Sequence, residues 1–176
     1  HFRDIGSDDG DWSPWFGYGK VDAFEAVAMA LRLKNMVDPR KKIVRVSVDN
    51  LVIPDNEPAG VISIIEINEE GIIERLEVGL HISHTFHSDL AVTLTSPSGK
   101  TIVLHNFQRG AGQNLIREFT PENMADLKKL TGEKIRGKWI LQAQDMARFD
   151  RGVLRNWYLD ITKEKTTIPP EATKSL

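Results

Sequence analysis

His81, His84 and His87 follow an H-x-x-H-x-x-H spacing, which on a helix would line three imidazoles along one face as metal ligands. Their context is a strand: Leu76, Val78, Leu80 and Ile82 alternate with Glu77, Gly79, His81 and Ser83. On a strand His81 and His84 point to opposite faces. His81 and His87 share a face but lie roughly 20 Å apart at about 3.3 Å per residue. The three meet one ion only if the strand ends sharply near Ser83, so they are expected as surface histidines at a strand end and its loop. A nucleophilic serine needs a sharp turn or helix start, with a His and an acid in reach. None of Ser7, Ser13, Ser47, Ser63, Ser83, Ser88, Ser96, Ser98 and Ser175 lies in G-x-S-x-G or follows Gly-Thr. Ser96 and Ser98 flank Pro97 before Gly99, which is turn chemistry.

Asp145 and Asp150 bracket the loop Met146-Ala147-Arg148-Phe149, and Asp89 opens another strand. Paired-carboxylate hydrolysis needs a cleft that the sequence does not supply. Asp in such loops caps nearby backbone N–H groups, and two or three of them from neighbouring loops could instead hold a structural calcium through oxygen ligands. The run Asp8-Asp9-Gly10-Asp11 lacks EF-hand spacing and reads as a solvated loop. Trp139 and Trp157 sit in phase with apolar positions, as core residues do. Trp12 and Trp15 lie outside that pattern and need apolar cover.

Three stretches must position these residues. From His1 to Val37, an aromatic cluster precedes a helix signal: Asp22 and Glu25 make a capping box, Phe24, Val27, Ala28 and Leu31 form one apolar face, and Pro39 ends any continuation. After the linker at 38–42 the period changes from 3.6 to 2. Leu90, Val92 and Leu94 alternate with polar or small residues, as do Trp139, Leu141 and Ala143, and Trp157, Leu159 and Ile161. Val61 to Ile67 and Thr101 to His105 read as strands buried on both faces. Turns fall at Pro54-Asp55-Asn56, Asn68 to Gly71, Ser96 to Gly99 and Asp150 to Gly152, and Pro121 to Leu130 reads as one helical turn or a long loop. About eight short strands without a strong intervening helix predict a mainly β, antiparallel sandwich or jelly roll over 43–162. Residues 163–176 are polar, contain Pro169-Pro170 and read as a flexible tail.

The chain has 176 residues, 40% hydrophobic and 27% charged, with a net charge of -2, which excludes a disordered polyelectrolyte and gives no global attraction to nucleic acid or anionic lipid. No apolar run is long enough for a transmembrane helix. No signal peptide is visible after His1, so the expectation is a cytoplasmic protein or a chain that begins downstream of its targeting sequence. The absence of cysteine excludes disulfides, thiolate zinc sites and thiol catalysis without fixing the compartment.

Two stretches together resemble known proteases. Phe16-Gly17-Tyr18-Gly19-Lys20-Val21-Asp22-Ala23 resembles the segment that opens the last helix of a subtilisin-like catalytic domain. Ile53-Pro54-Asp55-Asn56, His84-Thr85, Asp89-Leu90 and Leu94-Thr95-Ser96-Pro97-Ser98-Gly99 resemble the P domain, or Homo B domain, of kexin and furin-like proprotein convertases. Gly137-Lys138-Trp139-Ile140-Leu141, Asp145, Asp150-x-Gly152-x-Leu154 and Trp157-x-Leu159 continue that pattern, and the domain order is the family's own.

The resemblance implies a jelly-roll sandwich that packs on the protease domain in cis, supports its folding and its calcium or pH response, and carries no catalytic residue. The family's Asp, His and Ser lie upstream in a context this chain lacks. His87-Ser88-Asp89 stands where animal convertases carry Arg-Gly-Asp, so that integrin motif does not transfer. The reading is a catalytic-domain remnant (1–37), a linker (38–42), the P domain (43–162) and a tail (163–176). Catalytic, cofactor and metal residues are none, with structural calcium as an option. The parent is a calcium-dependent serine endopeptidase, and the lack of cysteine points to bacterial secreted or envelope relatives. The rival is a carbohydrate- or surface-binding jelly roll, which an exposed aromatic row on a sheet face would favour.

Overall fold

Alternating β-branched and polar residues give nine strands among the residues that the computed structural model describes, 42–107 and 112–164. They are β1 (Lys42–Ser47), β2 (Leu51–Ile53), β3 (Val61–Ile67), β4 (Ile73–His84), β5 (Leu90–Thr95), β6 (Thr101–His105), β7 (Leu115–Phe119), β8 (Gly137–Asp145) and β9 (Gly152–Lys163). The expected N-terminal helix, Trp12, Trp15, the Asp8 to Asp11 run and the tail beyond Glu164 lie outside the described residues. The strands that no stretch of the sequence reading named are β1, β7 and β2, the last with only three residues, too few to show a period.

The strands form two antiparallel sheets, as the sequence pattern predicts. One runs β1-β9-β4-β7, with β2 also paired to β9; the other runs β3-β8-β5-β6. Only β5 and β6 pair with a chain neighbour. Most pairings therefore close long loops, a topology that folds slowly.

The core lies between the sheets and follows the predicted phases. Leu76, Val78, Leu80 and Ile82 of β4 and Trp157, Leu159 and Ile161 of β9, from the first sheet, share one core with Leu90, Val92 and Leu94 of β5 and Trp139, Leu141 and Ala143 of β8, from the second, all buried. Two register shifts keep the long strands in phase. One falls between Ile73 and Arg75 of β4; the other lets Arg155 of β9 bulge, since His81 pairs with Asn156 but Ile82 with Leu154. The bulge lets Gly152 and Leu154 as well as Trp157 turn inward, although they differ in parity.

β3 and β6 differ from the expectation of strands buried on both faces. Both alternate: Ile65, Ile67, Ile102 and Leu104 are buried, whereas Ile62, Ile64 and Val103 are exposed. The reason is position. They are the two edges of the second sheet, whose outer face nothing covers among the described residues. The stretch Pro121 to Leu130 forms one 3-10 turn, Ala125–Leu130, which buries Leu127 and Leu130.

Trp139 is fully buried and its indole N–H donates to the Ile135 carbonyl at 3.0 Å. Trp139→Ala should therefore cost about 3–5 kcal/mol. Urea midpoints of the two proteins measure it, and a loss below roughly 1 kcal/mol would contradict a core position.

Candidate functional site

The loop end of the sandwich gathers the titratable residues that the sequence marks. β4 ends at His84 and β8 at Asp145, each in phase with the buried residues before it. The two side chains meet inside: His84 Nε2 lies 3.2 Å from Asp145 Oδ2, and both side chains are fully buried. His84 Nδ1 accepts the Phe86 N–H at 3.1 Å. That fixes the tautomer, with Nε2–H donating to the carboxylate. The expectation of a surface histidine is thus corrected for His84, which is 4% exposed. Core phase carries it inward, and the carboxylate makes its burial tolerable.

A buried His–Asp pair is two parts of a hydrolytic triad, but here neither ring nitrogen is left to take a proton from a hydroxyl. Five of the described serines are engaged elsewhere. Ser47 and Ser63 bond the Asp49 carboxylate, the first at 2.6 Å. Ser83 accepts from Arg155 at 3.2 Å. Ser96 and Ser98 donate to Glu133.

The other described histidines lie elsewhere. His81 is half-buried on β4, on the face opposite His84. His87 lies in a 3-10 turn, His87–Asp89, edge-on to His105 with ring centroids 5.7 Å apart. His105 donates from Nε2 to the His87 carbonyl at 2.9 Å. Burial lowers the pKa of His105 from its usual value, and that hydrogen bond opposes the shift in part.

The aspartates act as loop caps. Asp145 Oδ1 accepts the Ala147 N–H at 3.0 Å, and Asp150 Oδ1 accepts from Thr85 Oγ1 at 2.6 Å. Asp89 contributes its backbone carbonyl to the Met146 N–H at 2.8 Å. Among the described residues no group of three or more His, Cys, Asp or Glu side chains is placed to hold a metal ion.

The opposite end joins the motif residues into one structure. Ser96 to Gly99 form a tight turn, closed by the Gly99 N–H on the Ser96 carbonyl at 2.9 Å, with Gly99 at φ 85. Glu133, just ahead of β8, reaches this turn. Its Oε2 accepts Ser96 Oγ at 3.1 Å and Ser98 Oγ at 2.7 Å, and its Oε1 pairs with Lys100 at 2.6 Å. Gly137, at φ 131, lies so close to Pro97 that a Cβ would come within 2.7 Å of the ring. Trp139 follows two residues later. The spacing had marked the turn, but Glu133 carries no motif and only the fold brings it in.

Described by this sandwich and these contacts, the chain matches the proprotein convertase P-domain over residues 73–161, and it belongs to that family. It is 27% identical over 152 residues to the calcium-dependent protease of Trichormus variabilis, covering 85% of this chain and 22% of that protein. It is 28% identical over 173 residues to the Aeromonas extracellular serine protease of Aeromonas sobria, covering 90% and 27%. The crystal structure of the serine protease of Aeromonas sobria shares the fold, with a TM-score of 0.54 and 19% identity over 87% of this chain and 32% of that one. The chain thus spans about a quarter of the length of these curated relatives. No described helix is long and apolar enough to cross a membrane.

Burial opposes the charge of Glu133, but the hydrogen bonds from Lys100, Ser98 and Ser96 outweigh it and hold the carboxyl below its usual 4.5. A carboxyl lowered in the folded state adds stability that is present above its unfolded value and lost as the pH falls through the folded value. Glu133→Gln should therefore destabilise at pH 7 and flatten the loss of stability below about pH 4.5. Urea titrations from pH 7 to pH 3 check this; parallel curves for the two proteins would contradict it.

Proposed function

We propose that this chain is the accessory P domain of a secreted subtilisin/kexin-like serine endopeptidase, non-catalytic itself, which packs on the catalytic domain in cis and stabilises it. Residues 1–37 are then the end of the catalytic domain, 38–42 the linker, 43–162 the P domain and 163–176 a flexible tail. The observation that carries the reading is the P-domain match over 73–161 in a chain whose relatives are proteases several times its length. The closed ring of His84 supports a scaffold role, since it has no nitrogen to spare for proton transfer. The relatives, a calcium-dependent protease and an extracellular serine protease, support an extracellular or envelope location and a calcium-dependent parent.

The carbohydrate-binding rival needs an aromatic row on a sheet face. Trp139 and Trp157 are instead fully buried, and the outer face of the second sheet presents Ile62, Ile64 and Val103. Aliphatic side chains do not stack on sugar rings as aromatics do.

The test uses three proteins: the intact protease, the protease ended after residue 37, and this chain alone. On casein the intact protein should be active and this chain inactive. The shortened protease should lose folded yield or inactivate faster on warming. Turnover by this chain that a serine-directed phosphonate abolishes would contradict the reading, as would a shortened protease of unchanged yield and half-life.

A further inference from the structure

β3 reads in sequence as a strand buried on both faces, yet in the sandwich only one of its faces is buried. Ile65 and Ile67 point into the core, while Ile62 and Ile64 are 55% and 48% exposed on the outer face. On β8, Gln142 stands opposite Ile62 and the half-buried Ile140 opposite Ile64, and Thr93 and Thr95 of β5 continue these two rows. None of these six side chains is charged. Glu66 and Lys138, directly opposite each other, stand at the margin of the patch. β3 is also an edge, paired with β8 alone among the described residues. Its sequence, VISIIEI, has one charge, no proline and no register shift. An edge of that composition invites association unless something covers it.

The place of β3 in the fold says what covers it. The chain enters the sandwich at Lys42, opposite Thr162 of β9. β1 and β3 form one side of the sandwich: Arg45 pairs with Glu69, just past β3, and Ser47 Oγ lies 3.1 Å from Ser63 Oγ. The linker at 38–42, fully extended, spans at most about 18 Å. A domain ahead of it therefore rests near this side. The other exposed apolar residues are farther off. Phe86, Phe107, Met146 and Phe149 sit on loops at the opposite end of the strands, and Val48 and Val52 lie past the far end of β1. Ile116 is on β7 and Val103 on β6, the far edges of the two sheets. On the outer face of the first sheet, Lys42 bonds Asp160 at 2.9 Å and Tyr158 bonds Glu118 at 2.9 Å, with Val44 and Val46 of β1 half-buried. An uncharged apolar patch within reach of the linker thus lies on β3 and β8.

We infer that the outer face of β3 and β8, centred on Ile62, Ile64 and Ile140, is the surface that the catalytic domain covers, with an uncharged apolar patch of its own. This rests on the accessory-domain reading above. Docking there gives β3 the burial on both faces that its sequence carries, and it closes the exposed edge.

The intact protease carrying Ile64→p-benzoylphenylalanine tests it by photo-crosslinking and peptide mapping, with Ile116→p-benzoylphenylalanine on β7 as the comparison. The expected result is an intramolecular adduct from position 64 to a catalytic-domain peptide, and none from position 116. Ile64→Lys should leave the urea midpoint of this chain unchanged, because the side chain is exposed there. In the intact protease it should shorten the half-life on warming about tenfold. An adduct from 116 but not 64, or equally from both, overturns the docking face and leaves the accessory reading standing. So does an adduct from 64 to a second copy alone, or a half-life that Ile64→Lys does not change. With no catalytic-domain adduct from either position, cleavage at a site introduced into 38–42 separates the remaining cases. Parts that stay together overturn the docking face alone, and parts that come apart overturn the accessory reading as well.

Discussion

Trp157 donates its indole N–H across the gap between the sheets to Ser63 Oγ, at 2.7 Å. A buried indole needs an acceptor, and here the acceptor belongs to the other sheet. Ser63 in turn donates to Asp49, which also accepts from Ser47 at the end of β1. One polar chain thus ties β9 to β3 and closes on the loop after β1. β9 is the strand on which β1, β2 and β4 all pair. Fixing its central residue against the second sheet therefore sets the mutual position of both layers.

Two further contacts extend that constraint to the ends. At the loop end, the His84–Asp145 pair joins the last residue of β4 to the last residue of β8, one from each sheet. At the other end, Glu133 clamps the Ser96 to Gly99 turn, and Pro97 rests against Gly137. The three contacts lie at the centre and both ends of the sandwich. Each is polar and buried or partly buried, so each fixes register as well as adding stability. A domain held this way is suited to act as a rigid support, which is the role proposed for it.

Much of this was legible in the chain because the core strands obey a period of two. Leu76 to Ile82, Leu90 to Leu94, Trp139 to Ala143 and Trp157 to Ile161 all face inward as their alternation predicts. The family landmarks Ser96 to Gly99, Gly137 and Trp139 were legible as spacing, while their mutual contact was not. Edge position was illegible: nothing in Val61 to Ile67 or Thr101 to His105 says which strand lacks a neighbour, so both read as fully buried. The His84–Asp145 pair was hidden for a different reason. Each residue stands in core phase, but 61 positions separate them, and pairing at that distance depends on which strands the sheets bring together.

Cooperative support of the catalytic domain is the central claim, and scanning calorimetry of the intact protease measures it most directly. The account predicts one coupled transition for the two domains, and Trp157→Phe, which removes the indole N–H bond to Ser63 together with part of the buried ring volume, should move the whole transition down. Two separate transitions, with the catalytic one unmoved by Trp157→Phe, would contradict it.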